Sequence, residues 1–171
     1  MKNYTSVSDI ENLQELVEEA IQLKNENSSA EAGKGKTLGM LFFNPSLRTR
    51  LSTEKAAKLL GMEVMVMNAD KDGWALEFEE GAVMNSDKAE HIKEAAAVLS
   101  QYCDIIAVRA FPGLVDREKD EADIVISSFL KYSLKAFIYR GSYLYALSPN
   151  HSSRKTRAFP GFACSFSSIV F

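Results

Sequence analysis

The run from Thr37 to Phe43 is apolar almost throughout and stops abruptly at Asn44-Pro45. Ser46, Arg48, Thr49 and Arg50 follow at once, interrupted only by Leu47. A buried strand that opens through such a turn onto a helix is how α/β proteins build an oxyanion site. The helix N-terminus contributes unpaired N–H groups and the positive end of its dipole. Ser46 and Thr49 add hydroxyl groups, and Arg48 and Arg50 add planar guanidinium forks matched to phosphate or carboxylate. The stretch therefore reads as a phosphate cradle that uses neither a Walker lysine nor a glycine-rich loop.

Strands and helices alternate around this stretch. Ser8-Asp9-Ile10-Glu11 has the form of a capping box, and Ile10, Leu13, Leu16, Val17, Ala20, Ile21 and Leu23 follow at helical spacing. After Thr37–Phe43 a helix is expected from about Ser46 to Leu60, with Gly61 as its C′ residue. Residues 63–67 read as a second strand, completing a βαβ unit. Asn68 to Gly81, which contains the only tryptophan, Trp74, reads as an exposed loop. Ser86 is placed to cap a helix through Leu99, residues 104–109 form a short apolar strand ending in Arg109, and residues 122–132 form a last helix. The resulting order, α-β-α-β-α-β-α, predicts a doubly wound parallel sheet in a three-layer αβα arrangement, with ligands bound beyond the C-terminal strand ends. Ser46–Arg50 and Arg109 both fall there.

Bulk properties narrow the function. With 171 residues there is room for one domain or slightly more. A net charge of −3 argues against a nucleic-acid binder held by bulk electrostatics. No apolar stretch is long enough to span a bilayer, and the first residues carry no signal-peptide core, so a cytoplasmic setting is expected. Two cysteines, Cys103 and Cys164, make no disulfide framework, and Cys103 reads as a buried thiol. His91 has no histidine or cysteine at metal-ligand spacing and reads as a helix-surface residue. Glu77, Glu79 and Glu80 read as a solvated face. Arg109 has two readings, a ligand contact or a surface partner of Asp116 or Glu118.

The stretch Phe43-Asn44-Pro45-Ser46-Leu47-Arg48-Thr49-Arg50-Leu51-Ser52-Thr53-Glu54 resembles the carbamoyl-phosphate signature of the aspartate and ornithine carbamoyltransferases. That signature is Ser-Thr-Arg-Thr-Arg followed by x-Ser-Phe-Glu, and this chain departs from it at Leu47 and Thr53. Asp72-Gly73-Trp74, Val83-Met84-Asn85, Glu90-His91 and the strand from Ile105 to Phe111 are similar to the N-acetylornithine and N-succinylornithine carbamoyltransferases of arginine biosynthesis. The resemblance covers about residues 1–133 and implies a carbamoyl-phosphate-binding domain there. It implies that Ser46, Leu47 by its backbone, Arg48 and Thr49 hold the phosphate of carbamoyl phosphate. Arg109 and Thr49 would reach the carbamoyl oxygen, so Arg48, Thr49 and Arg109 are the expected catalytic residues. Trp74 would enter the site of a neighbouring subunit, which implies a homotrimer. The implied reaction is attack of an acylornithine amine on the carbamoyl carbon with loss of phosphate, without metal or organic cofactor. Ala89 stands where acetyl- and succinyl-preferring members carry Glu or Pro and matches neither, so the acyl preference stays open.

The pattern breaks from Leu134 onward. The family continues with a strand, a glutamate, a His-Pro-x-Gln motif and an ornithine-binding domain, and residues 134–171 show no such pattern. Reading the possible codons of Lys135 to Pro149 from each second base allows Glu at position 141, Ala at 142, His at 146, Leu at 148 and Gln at 149. This motivates the hypothesis of a frameshift near Ser133–Leu134, which sequencing of the gene decides. The expectation is a truncated carbamoyltransferase, inactive alone, with its acylornithine site largely missing and an atypical tail over 134–171. The alternative is a non-catalytic module that binds carbamoyl phosphate or joins intact family trimers. In a third reading the apolar tail from Phe159 drives aggregation.

Overall fold

The apolar run before Asn44 becomes an interior strand of a parallel sheet. The computed structural model describes residues 3–5, 9–26, 32–69, 75–84, 88–111 and 122–140. In chain order the elements are β1 (Asn3–Tyr4), α1 (Leu13–Glu26), β2 (Thr37–Phe42), α2 (Leu47–Leu59), β3 (Glu63–Asn68), β4 (Leu76–Glu77), β5 (Glu90–His91), α3 (Ile92–Tyr102), β6 (Ile105–Arg109), α4 (Ile124–Tyr132) and β7 (Ala136–Arg140). The five-stranded sheet has the order β1-β7-β6-β2-β3, and every pairing in it is parallel.

Strand β2 is buried on both faces, as the near-continuous apolar run requires. Leu38, Met40 and Phe42 point to one side and pack with Ala57 of α2 and with Val64, Val66, Ile105 and Ala107. Leu41 points to the other side and joins Ala95, Ala96 and Leu99 of α3 and Ile126 and Phe129 of α4. Helices therefore cover both faces, giving the three-layer arrangement. Gly39 shares the α3 side, where a Cβ would lie 2.6 Å from the sulfur of Cys103. Absence of a side chain there lets the last turn of α3 close onto the sheet.

Several expected boundaries move. Helix α1 begins at Leu13, and Ser8 of the expected capping box lies outside the described residues. Asn12 does the capping: its Oδ1 accepts from the Glu15 amide at 3.2 Å, and its Nδ2 donates to Glu15 Oε2 at 3.1 Å. Gly61 does end α2, with φ of 76°. The helix expected from Ser86 starts only at Ile92, with His91 as its N-cap in a capping box with Glu94. His91 is thus a helix start and not a helix-surface residue. Part of the expected loop over 68–81 pairs instead, Leu76–Glu77 lying parallel to Glu90–His91. Two further strands were not expected at all. Asn3–Tyr4 and Ala136–Arg140 both join the sheet, β7 lying between β1 and β6. Phe137, Ile138 and Tyr139 have high strand propensity, and the open edge of β6 offers them unpaired backbone groups.

Candidate functional site

Chain order fixes where a ligand site can form. From β2 the chain steps to β3 on one side and later returns as β6 on the other, so β2 and β6 are neighbours whose following loops leave in opposite directions. Such a switch point opens a crevice beyond the C-terminal strand ends. The loop 43–46 and residues 109–111 meet there. Phe43 N donates to the Arg109 carbonyl at 2.9 Å. Beyond it, Phe111 N donates to Asn44 Oδ1 at 2.7 Å.

Ser46 sits in extended conformation, φ −157°, as the N-cap of α2. Its Oγ accepts from Thr49 N at 3.3 Å and donates to Thr49 Oγ1 at 3.0 Å. Arg109 Nη1 donates to the same Thr49 Oγ1 at 3.2 Å, joining residues on α2 and β6. Thr49 is buried, which fixes the middle of this row. The guanidinium of Arg109 lies 4.2 Å from the centre of the Phe111 ring, a stacking contact that holds its plane. Leu47 and Arg48 face outward at the mouth, Leu47 being 74% exposed. The first turn of α2 holds no acidic residue, so its positive end is not neutralised from within the helix.

Ser46, Thr49 and Arg109 are thus brought into one hydrogen-bonded row, with Leu47 and Arg48 on the same helix turn. Trp74 lies outside the described residues, as do Asp116 and Glu118, the acids weighed as partners of Arg109. Arg50 departs from the sequence reading. Its Nη2 donates to Asn68 Oδ1 and its guanidinium stacks over Phe42, 5.2 Å from the ring centre. It fastens α2 to the ends of β2 and β3 and does not add a second fork to the cradle. Asn44, Asn68 and Phe111 were missed. An Asn directly before a Pro at a strand end is the local signal for Asn44.

The acidic cluster serves as fastening. Glu80 Oε1 accepts from Lys131 Nζ and from Tyr132 Oη, which ties the loop after β4 to α4 and holds the Glu80 carboxyl below the usual range. Glu77 accepts from the amides of Glu79 and Phe78, and its carboxyl is lowered by these bonds. Cys103 is buried, and loss of hydration, with Asp104 beside it, pushes its thiol up, the opposite of a reactive thiolate. Among the described residues no group of three or more His, Cys, Asp or Glu is placed to hold a metal ion, and no helix is long and apolar enough to cross a membrane.

The arrangement offers helix-terminal amides, a hydroxyl pair and a strand-end guanidinium to one point. These are donors for a phosphate and for a carbonyl oxygen beside it. Residues 2–133 match the family described as aspartate/ornithine carbamoyltransferase, carbamoyl-P binding domain. The N-succinylornithine carbamoyltransferase of Bacteroides thetaiotaomicron is 46% identical over 134 residues, covering 78% of this chain and 42% of that protein. The N-acetylornithine carbamoyltransferase of Xanthomonas campestris pv. campestris is 47% identical over 121 residues, 71% of this chain and 35% of that one. Among solved structures, acetylornithine transcarbamylase complexed with acetylcitrulline superposes with a TM-score of 0.77 at 41% identity, over 84% of this chain and 43% of that one. A single-residue mutant of N-acetyl-L-ornithine transcarbamylase, complexed with carbamyl phosphate and N-succinyl-L-norvaline, gives a TM-score of 0.78 at 41% identity over the same shares. The chain spans less than half the length of these relatives.

Proposed function

This chain belongs to the aspartate/ornithine carbamoyltransferase family through its carbamoyl-phosphate-binding domain, and we propose that its residues 1–133 bind carbamoyl phosphate for transfer of the carbamoyl group to the amine of an N-acylated ornithine. The observation that carries this reading is the row Ser46–Thr49–Arg109 at the β2–β6 switch point.

In this reading the phosphate sits on the amide groups at the start of α2, that of Thr49 among them, with the Ser46 hydroxyl and the Arg48 guanidinium around it, which leaves the Thr49 hydroxyl for the carbamoyl oxygen. Arg48 is exposed at the mouth, where its fork can close on an arriving dianion. Arg109 and Thr49 donate to the carbamoyl oxygen. As the amine attacks, negative charge gathers on that oxygen and the fixed donors stabilise it. The C–O bond to phosphate then breaks as the attacking amine gives up a proton, which the departing phosphate can take, and the cradle holds the phosphate's remaining charge. Both acyl types, acetyl and succinyl, fit the relatives' names.

The proposal extends to assembly: a homotrimer in which Trp74 of one copy enters the site of the next. It also assigns the acylornithine site to the portion of the relatives' length that this chain does not match, so these 171 residues bind carbamoyl phosphate but do not turn it over alone. Calorimetric titration of carbamoyl phosphate into the purified chain tests the central step. Saturable binding that Arg48→Ala weakens on the order of a hundredfold supports it. A folded chain that takes up no carbamoyl phosphate refutes it. A turnover assay with N-acetyl- and N-succinylornithine checks the rest, and citrulline-type product from this chain alone would overturn the assignment of the second site.

A further inference from the structure

We propose that Asn44 is a positioning residue of the carbamoyl-phosphate site: its side chain replaces one rung of the β2–β6 ladder, parts the two strands at their C-terminal ends, and through Phe111 sets the guanidinium of Arg109. The inference rests on the functional reading above for its ligand and on the hydrogen bonds alone for its geometry.

The register pairs Phe42 with Arg109. Phe43 N then donates to the Arg109 carbonyl at 2.9 Å. In a regular parallel ladder the next bond runs from the Phe111 amide to the carbonyl of Phe43. Here the Phe111 amide donates instead to Asn44 Oδ1, at 2.7 Å. A side-chain oxygen three bonds from Cα stands in for a main-chain carbonyl oxygen two bonds from Cα, so the strands stay joined while their backbones separate. The opening that this leaves is where Ser46, Thr49 and Arg109 converge.

Neighbouring residues hold Asn44 in place. Before it, the Phe43 ring packs against Phe78 and Phe129, with centroids 6.0 and 6.3 Å away. After it, Pro45 favours extended backbone at Asn44. Downstream, the bond to Asn44 pins the Phe111 backbone. The ring of Phe111 supports the Arg109 guanidinium at 4.2 Å, and Arg109 reaches Thr49 at 3.2 Å. Asn44 thus acts on Arg109 without being one of the groups assigned to the ligand. Among the described residues no hydrogen bond joins the Asn44 side chain to the helix start, which Ser46 and Thr49 close between themselves. The two halves of the site should therefore respond differently to its loss.

The experiment compares the full chain with Asn44→Ala, Asn44→Asp and Arg109→Lys, titrating each with carbamoyl phosphate and, separately, with inorganic phosphate, and following amide exchange at Phe111. In Asn44→Ala the Phe111 amide should lose protection. Affinity for carbamoyl phosphate should fall about tenfold, and affinity for inorganic phosphate less than about threefold, the size expected from one lost orienting bond. Asn44→Asp keeps an acceptor oxygen and should keep Phe111 protected. In the Arg109→Lys background, Asn44→Ala should cost little more. Unchanged exchange at Phe111, equal losses for the two ligands, or losses that multiply in the double variant would overturn the proposal. A wild-type chain that binds no carbamoyl phosphate would instead overturn the functional reading, and Phe111 exchange would still decide whether Asn44 parts the strands.

Discussion

Strands β2 and β6 lie side by side, and their two ends are finished in opposite ways. At the N-terminal end, Asp104 N donates to the Thr37 carbonyl at 2.9 Å, and the Asp104 carboxylate accepts from Thr37 N at 3.0 Å and from Lys36 Nζ at 3.3 Å. Backbone and side chain both draw the strands together, and an acid there meets a cation. At the C-terminal end, a side-chain oxygen replaces a carbonyl, the loops diverge, and hydroxyl and guanidinium groups collect. One pair of strands is thus sewn shut at one end and held open at the other. The difference lies in what each end can accept: the closed end has matched its own charges, and the open end gathers donors suited to an anion.

If that contrast is sound, substitutions at the two ends should separate binding from stability. The largest effect is expected for Arg48→Ala. Its exposed guanidinium should carry affinity on the order of a hundredfold, the range of a charge-assisted fork on a phosphate, while thermal unfolding stays where it was. Calorimetry and a melting curve on the same preparation check both halves. A large fall in melting temperature with binding retained would reverse the contrast. Arg109→Lys comes next. It keeps the charge but loses the planar stack on Phe111 and the fixed bond to Thr49, so carbamoyl phosphate should bind about tenfold more weakly. Equal affinity in a titration would show that Arg109 acts as a charge alone.

How much of this contrast was legible in the sequence differs between the ends. The apolar run into Asn44-Pro45 and the residues after it place the cradle, because strand, turn and helix start are local patterns. Arg109 was legible as a strand-end arginine. Its bond to Thr49 was not, since a contact between α2 and β6 depends on strand order, which local patterning leaves open. Arg50 shows the same limit. Two arginines one residue apart look equivalent in a sequence, yet helical geometry points one to the mouth and the other back to Asn68. At the other end, Asp104 looked like the first residue of a strand, and its bonds to Lys36 and Thr37 required β2 and β6 to be neighbours. The strand Ala136–Arg140 escaped because it lies where the expected helix–strand rhythm fails, and the edge of β6 decides its state more than its own sequence does.

A smaller effect, visible at the open end in both binding and stability, is expected for Ser46→Ala. The substitution removes the acceptor for Thr49 N at the start of α2, which should lower stability by about 1 kcal/mol in urea unfolding. It should also weaken carbamoyl phosphate binding, because the same hydroxyl orders Thr49 Oγ1. A stability loss without any change in affinity would make Ser46 a helix cap only.

The smallest effect belongs to the closed end and is read through pH. The Thr37 amide, and after it Lys36, hold the Asp104 carboxyl below the usual carboxylate range. The unfolded chain therefore binds the proton first as pH falls. The stabilisation from Asp104 is complete above the ordinary carboxylate pKa, and it is lost as pH drops through the lower value of the folded state. Asp104→Asn removes that titration, so unfolding free energy measured over an acid series should fall less steeply in the variant. Near neutral pH the variant should be the less stable of the two, since an amide in place of the carboxylate weakens the charge-assisted bonds to Thr37 and Lys36. Carbamoyl phosphate affinity, measured at neutral pH, should not change, because Asp104 sits at the opposite end of the strands from the cradle. An affinity shift in Asp104→Asn as large as that in Ser46→Ala would show that the two ends are coupled through the strands and would remove the contrast between them.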